Sequence, residues 1–176
     1  SDGAAAIVMC PLEMANKFTD RAVEILATAQ ASDTLALHQR SSVTEMLATK
    51  VATRRALEMA KLTLGDIDLT EAHDNFTISE IMAVEDIGFF PKGEGGKASL
   101  DGRTAIDGEV PVNTSGGLKA RGDPIGATGV AQFVEIVQQL RGEAEKRQVA
   151  DARIGLTHNV GGTGASVIVH IMGVGQ

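Results

Sequence analysis

The sequence predicts an α/β fold in which a mostly parallel sheet is covered by helices, and three observations carry that prediction. Short apolar runs of strand length alternate with longer segments whose apolar residues recur every three to four positions. The strand-like runs are apolar on both faces, as strands covered by helices on two sides must be. Glycine is frequent, at 20 of 176 residues, while Trp and Tyr are absent, so Ala, Val, Ile, Leu and Met must form the core with close backbone approach.

Residues 4–10 (AAAIVMC) form an apolar run without helical spacing, read as a buried strand that Pro11 stops, with a brief helix over 12–18. Residues 22–31 suit helix or strand by composition, and the flanking Asp and Ser residues favour a strand from Val23. Over 43–62, Met46, Leu47, Val51, Ala56, Met59 and Ala60 fall at helical spacing around Lys50, Arg54 and Arg55, with Thr44 as the expected cap. Residues 67–72 alternate as a strand entering the turn His73-Asp74-Asn75-Phe76. A helix over 77–87 follows, with Thr77 and Glu80 spaced as a capping box. The glycine-rich stretch 88–110 reads as a long surface loop. A short strand is expected over 110–113, a helix over 124–144, and strands over 153–159 and 165–172 joined by the hairpin-competent turn Gly161-Gly162-Thr163-Gly164.

A chain of 176 residues fits one domain, here residues 1–176, or half of a larger duplicated one. No run reaches the roughly 18 apolar residues of a membrane span, so a soluble, cytoplasmic protein is expected. The net charge of −7, with 16 scattered Lys and Arg, gives nucleic acid no electrostatic footing. One cysteine, Cys10, excludes an internal disulfide framework and a cysteine-rich zinc site, and no metal is expected. The start at Ser-Asp-Gly rather than Met reads as a fragment or a processed product.

Polar residues collect at the ends of predicted strands, where open α/β sheets assemble their active sites. Those are the HDNF turn at 73–76, the segment VNTSGGLKARGDPIGATG at 112–129, and His158-Asn159-Val160-Gly161-Gly162. Together with the opening SDGAAAIVM, these motifs resemble the second half of a thiolase of the sterol-carrier or lipid-transfer type. HDNF stands where that family has NEAF or HDCF, and the longer segment resembles VNPSGGLKAKGHPIGATG. Four motifs in the family's order make the resemblance specific.

The resemblance implies the C-terminal half of a five-layered αβαβα enzyme, with a mixed, mostly parallel five-stranded sheet. It implies carbon–carbon bond formation or cleavage on acyl-CoA, with the coenzyme A thioester as substrate and no tightly bound cofactor. The nucleophilic cysteine lies in the other half of such proteins, and Cys10 does not match its position. The implied partners are therefore an N-terminal thiolase half, a second copy in a homodimer, and a small OB-fold protein.

A Claisen-type step needs a base for the proton alpha to the thioester and donors for the enolate oxygen. His73 and His158 are the candidate donors, each worth roughly 3–4 kcal/mol of barrier, with His158 as candidate proton carrier. The alternative for each is a hydrogen-bonded histidine at a strand end. Asn75 stands where sterol-carrier-type thiolases have an acid/base cysteine; it can orient a water or a carbonyl but not exchange protons, and it also suits a turn. Asp123 stands where the family has the histidine that activates the nucleophile. Before Pro124 it also suits a helix N-cap, a position that favours the carboxylate and makes it a poor base. Ser115, Gly116 and Gly117 are the candidate coenzyme-binding residues, through a hydroxyl for a pantetheine amide and an accessible backbone. Gly126 and Gly129 suit tight helix packing as well as ligand approach, His38 a solvent-exposed loop, and His170 a core edge.

Three functions follow from these residues. The first is an acyl-CoA C-acyltransferase, the second a thiolase-like retro-aldol lyase, and the third a non-catalytic thiolase half that binds or assembles.

Overall fold

In the computed structural model, which describes residues 1–175, a four-stranded sheet is held between two helical layers. Its strands are β1 (Val23–Ser32), β2 (Leu69–Ala72), β3 (Ile154–Gly161) and β4 (Ser166–Val174), in the spatial order β1-β4-β3-β2. The helices are α1 (Leu47–Ala60), α2 (Thr77–Ile87), α3 (Gly95–Leu100), α4 (Gly117–Arg121) and α5 (Ile125–Leu140).

The α/β class holds, but the sheet is mixed rather than mostly parallel. β1 and β3 both run antiparallel to β4, and only β2 and β3 are parallel. The hairpin at 162–165 forces the β3–β4 pairing, because a tight turn can only join antiparallel strands. The six runs read as strands, and the five strands that the resemblance implies, come down to four. Residues 4–10 form no strand, and residues 110–113 contribute a single bridge, Thr70 to Val112. An apolar run becomes a strand only where a neighbour supplies its hydrogen bonds, and Val8 and Met9 instead stand exposed.

The alternation of β3 defines two chemically different faces. Leu156, His158 and Ala72 look towards α1 and α2, in a core built on Ala48, Ala52, Ala56, Val84, Val167 and Ile171. Small alanines on α1 let the helix lie close on the sheet. On the opposite face α5 packs Ile136 and Leu140 onto Leu69, Val149 and Met172. Gly155 is required there, since a Cβ would lie 2.6 Å from the Ile136 side chain.

Three local expectations give way to tertiary context. Neither Thr44 nor Asp123 caps its helix: α1 starts after Met46 and α5 after Pro124, both without a side-chain cap bond. The Thr77–Glu80 box does not form either, because Glu80 accepts from Asn113 Nδ2 at 2.8 Å instead. The 88–110 loop contains α3, and the glycine segment contains α4, which the sequence pattern did not reveal.

Candidate active site

The parallel register of β2 and β3 builds the site. Ala72 pairs with His158, so the next residues along each strand, His73 and Asn159, emerge side by side at the carboxyl ends. His73 Nδ1 lies 3.5 Å from Asn159 Nδ2, and His73 Nε2 lies 3.9 Å from Asp123 Oδ2. An amide nitrogen only donates, so Nδ1 accepts and the imidazole proton sits on Nε2, facing Asp123. Burial holds the His73 pKa below the ordinary imidazole value, although Asp123 and Asp74 pull it upward. The ring is therefore neutral at pH 7.

Asp123 reaches the site from the start of α5. Its Oδ1 accepts from Thr128 Oγ1 at 2.5 Å, which fixes the carboxylate within the first helical turn without capping it. Asn159 packs against Gly129, where an added Cβ would lie 3.4 Å from the amide carbon. Gly129 is thus the tight-packing glycine, whereas Gly126 faces open space.

His158 points the other way. It is fully buried on the α1 face, and its Nε2 lies 2.9 Å from Thr49 Oγ1. Burial, with His73 nearby, pushes its pKa down to about 3. A ring that stays neutral across the physiological range and has no solvent contact does not act as a proton carrier. The expected pair of converging imidazoles is accordingly replaced by His73 with Asn159, a residue the sequence reading passed over. Strand alternation beside a paired register was the signal that would have found it.

The candidate coenzyme-binding turn is engaged inward. Ser115 Oγ donates to Glu71 Oε2 at 2.6 Å and accepts from Gly117 N–H and from Arg121 Nη1, each at 3.0 Å. Its hydroxyl has no hydrogen-bonding capacity left for a pantetheine amide. Gly116 and Gly117 both have positive φ, and a Cβ on Gly117 would meet Asp74 Oδ2 at 2.2 Å. Asp74 in turn accepts the Leu118 N–H at 2.7 Å. These glycines let the backbone wrap a buried carboxylate.

Asn75 lies on the wall of a cavity of about 280 Å³ that also touches His73. Val43, Met46, Phe76 and Met82 give it an apolar lining. Larger hollows of about 520 and 560 Å³ lie along β1 and residues 8–24 and hold none of the predicted site residues. His170 packs edge-on against Phe133 and bonds Thr28, and His38 is exposed, as expected of both. Among the described residues no group of His, Cys, Asp and Glu is arranged to hold a metal ion, and no helix is long and apolar enough to cross a membrane.

A family model described as thiolase C-terminal domain-like matches residues 29–174. The chain belongs to this family. The thiolase domain is 62% identical over 171 residues to an acetyl-CoA acetyltransferase of Methanothermobacter thermautotrophicus, covering 97% of this chain and 45% of that protein. It is 40% identical to human sterol carrier protein 2, covering 96% of this chain and 32% of the relative. A solved structure called Ltp2-ChsH2(DUF35) aldolase superposes with a TM-score of 0.81 at 25% identity, over 93% of this chain and 42% of its own. The domain thus spans less than half the length of these relatives.

Proposed function

We propose that this thiolase domain is the C-terminal half of an acyl-CoA C-acyltransferase, which makes or thiolytically cleaves the carbon–carbon bond of a 3-ketoacyl-CoA. The observation that carries the reading is the His73–Asn159–Asp123 group at the ends of adjacent parallel strands, beside an apolar cavity. A neutral His73 donates from Nε2 to the thioester oxygen as enolate charge develops, and Asp123 orients that N–H before the substrate arrives. Asn159 fixes the tautomer, and Asn75 positions a water or an acyl carbonyl at the cavity wall. His158 supports the strand end from beneath as a neutral imidazole.

The nucleophilic cysteine comes from an N-terminal half, the thioester of coenzyme A is the substrate, and no cofactor is held tightly. A cytoplasmic homodimer, with an OB-fold protein as a further partner, is the assembly this reading implies. A second reading, retro-aldol cleavage of a 3-hydroxyacyl-CoA, draws support from Asp123 standing in place of the motif histidine, and from the solved neighbour named an aldolase.

The test is the full-length protein with acetoacetyl-CoA and coenzyme A, followed by loss of thioester. Turnover supports the acyltransferase, and cleavage of a 3-hydroxyacyl-CoA alone supports the lyase. Coenzyme A binding without either reaction would leave a binding or assembly subunit. Asp123→His is expected to raise thiolysis; unchanged rates would show that the aspartate does not set the difference.

A further inference from the structure

Glu71 is a carboxylate on β2, the edge strand of the sheet, yet it is fully buried, two residues before His73. Burying a charge is costly unless it is paired, so its surroundings should explain it. Oε1 accepts the Ser115 N–H at 3.2 Å, and Oε2 accepts the Ser115 hydroxyl at 2.6 Å and Arg121 Nη1 at 3.4 Å. Ser115 Oγ is filled in turn by one donated and two accepted bonds. Every one of these contacts uses Glu71 as an acceptor. A proton on Oε2 would displace a donor, and one on Oε1 would leave Ser115 and Arg121 facing a neutral acceptor in place of a charge, so the geometry fits the anion.

The electrostatics pull the other way. Burial raises the Glu71 pKa to about 7, with Glu135 on α5 adding to the rise, while Ser115 and Arg121 lower it. Glu135 is itself tied to Arg147 Nη2 at 3.0 Å. Within the Arg121 guanidinium, Nε and Nη2 are buried without a partner among the described residues, so its charge is answered chiefly by Glu71. Neutral His73, with Asp74 and Asp123, completes the titratable groups on this side.

We infer that Glu71 is a proton-linked positioning residue: as the anion it clamps the Ser115–Gly117 turn and Arg121 to the end of β2, and on protonation it releases them. The turn leads through α4 and Gly122 to Asp123, so the clamp sets how the His73–Asp123 pair presents itself to a thioester. This consequence rests on the function proposed above, whereas the clamp itself does not.

The experiment is single-residue hydrogen exchange on the full-length protein between pH 8 and pH 6, corrected for intrinsic rates. Leu118, whose N–H goes to Asp74, serves as reference. Relative to Leu118, protection at Ser115 and Gly117 is expected to fall about tenfold, following the ionised fraction of a group that titrates near 7. In Glu71→Gln the ratio should stay low and flat. Should that variant fail to fold, Ser115→Ala provides the second arm: Gly117 loses its acceptor and its pH dependence. A flat ratio in the wild type, or a surviving dependence in either variant, overturns the clamp. In parallel, KM for acetoacetyl-CoA should rise below pH 7 in the wild type with kcat little changed, and not in Glu71→Gln. A wild type without turnover would sink the acyltransferase reading and leave the exchange experiment to judge Glu71.

Discussion

The two faces of the sheet solve opposite problems with the same strands. On the α1 face, alanines and aliphatic side chains close around one imidazole, His158, whose Nε2 meets Thr49 while its Nδ1 is buried without a partner among the described residues. On the α5 face, a carboxylate, a guanidinium and a serine share one network, Glu71, Arg121 and Ser115, and a second imidazole, His73, sits between Asp123 and Asn159. Two histidines that look equivalent in the sequence therefore have different chemistry. One is sealed and structural, while the other lies between an acid and an amide at a cavity mouth. The contrast teaches that position relative to the pleat, rather than residue type, assigns the roles.

The largest effect should come from breaking the apolar face. Leu156→Ala removes a fully buried side chain beneath α1 and is expected to cost about 2–5 kcal/mol, read as a fall in thermal or denaturant midpoint. A loss under 1 kcal/mol would mean that α1 is not closely seated there. Next comes the reactive face: His73→Ala should lower kcat about 10²–10³-fold with little change in melting temperature. A reversal of that pattern, with stability lost and rate kept, would make His73 structural and erase the contrast between the histidines.

Acid separates the two faces further. The folded-state pKa of His158, about 3, lies below the ordinary 6.5, so between those values the unfolded chain binds the extra proton. Its contribution to stability is complete above pH 6.5 and is lost as pH falls towards 3, by about 1.4 kcal/mol per unit at most. His158→Gln should flatten that slope in acid unfolding curves, and an unaltered slope would count against a sealed, neutral ring. The smallest effect concerns the glycines of α5. Gly126→Ala, in open space, should stabilise by about 0.4–1 kcal/mol, whereas Gly129→Ala should disturb Asn159 and reduce activity. The same outcome at both positions, with activity kept, would show that Asn159 does not need its close contact.

Much of this was legible before any coordinates. The helix over 77–87 and the strand beginning at Val23 fall where they are expected, the first from its capping pattern and the second from the flanking Asp and Ser residues, because these local signals agree with the packing. The expected strand at 4–10 failed because strand pairing is a property of two segments, and no local signal reports the absence of a partner. Asp123 has the sequence of a helix cap, yet tertiary contacts turned its carboxylate to Thr128 and His73. Glu71 carried its own signal, a charge inside an apolar run, but its partners are 44 and 50 residues away.

By itself the sequence determined the α/β class, the family, and the three motif turns that supply the polar groups, since these depend on local pattern and on residues standing in a fixed order. Only the tertiary structure decided which of those groups meet. The one-residue offset between the parallel strands put Asn159 rather than His158 beside His73, and the pleat sent His158 into the opposite core. Side-chain direction alternates with every residue, so a shift of one position along β3 exchanges a buried support for a reactive neighbour.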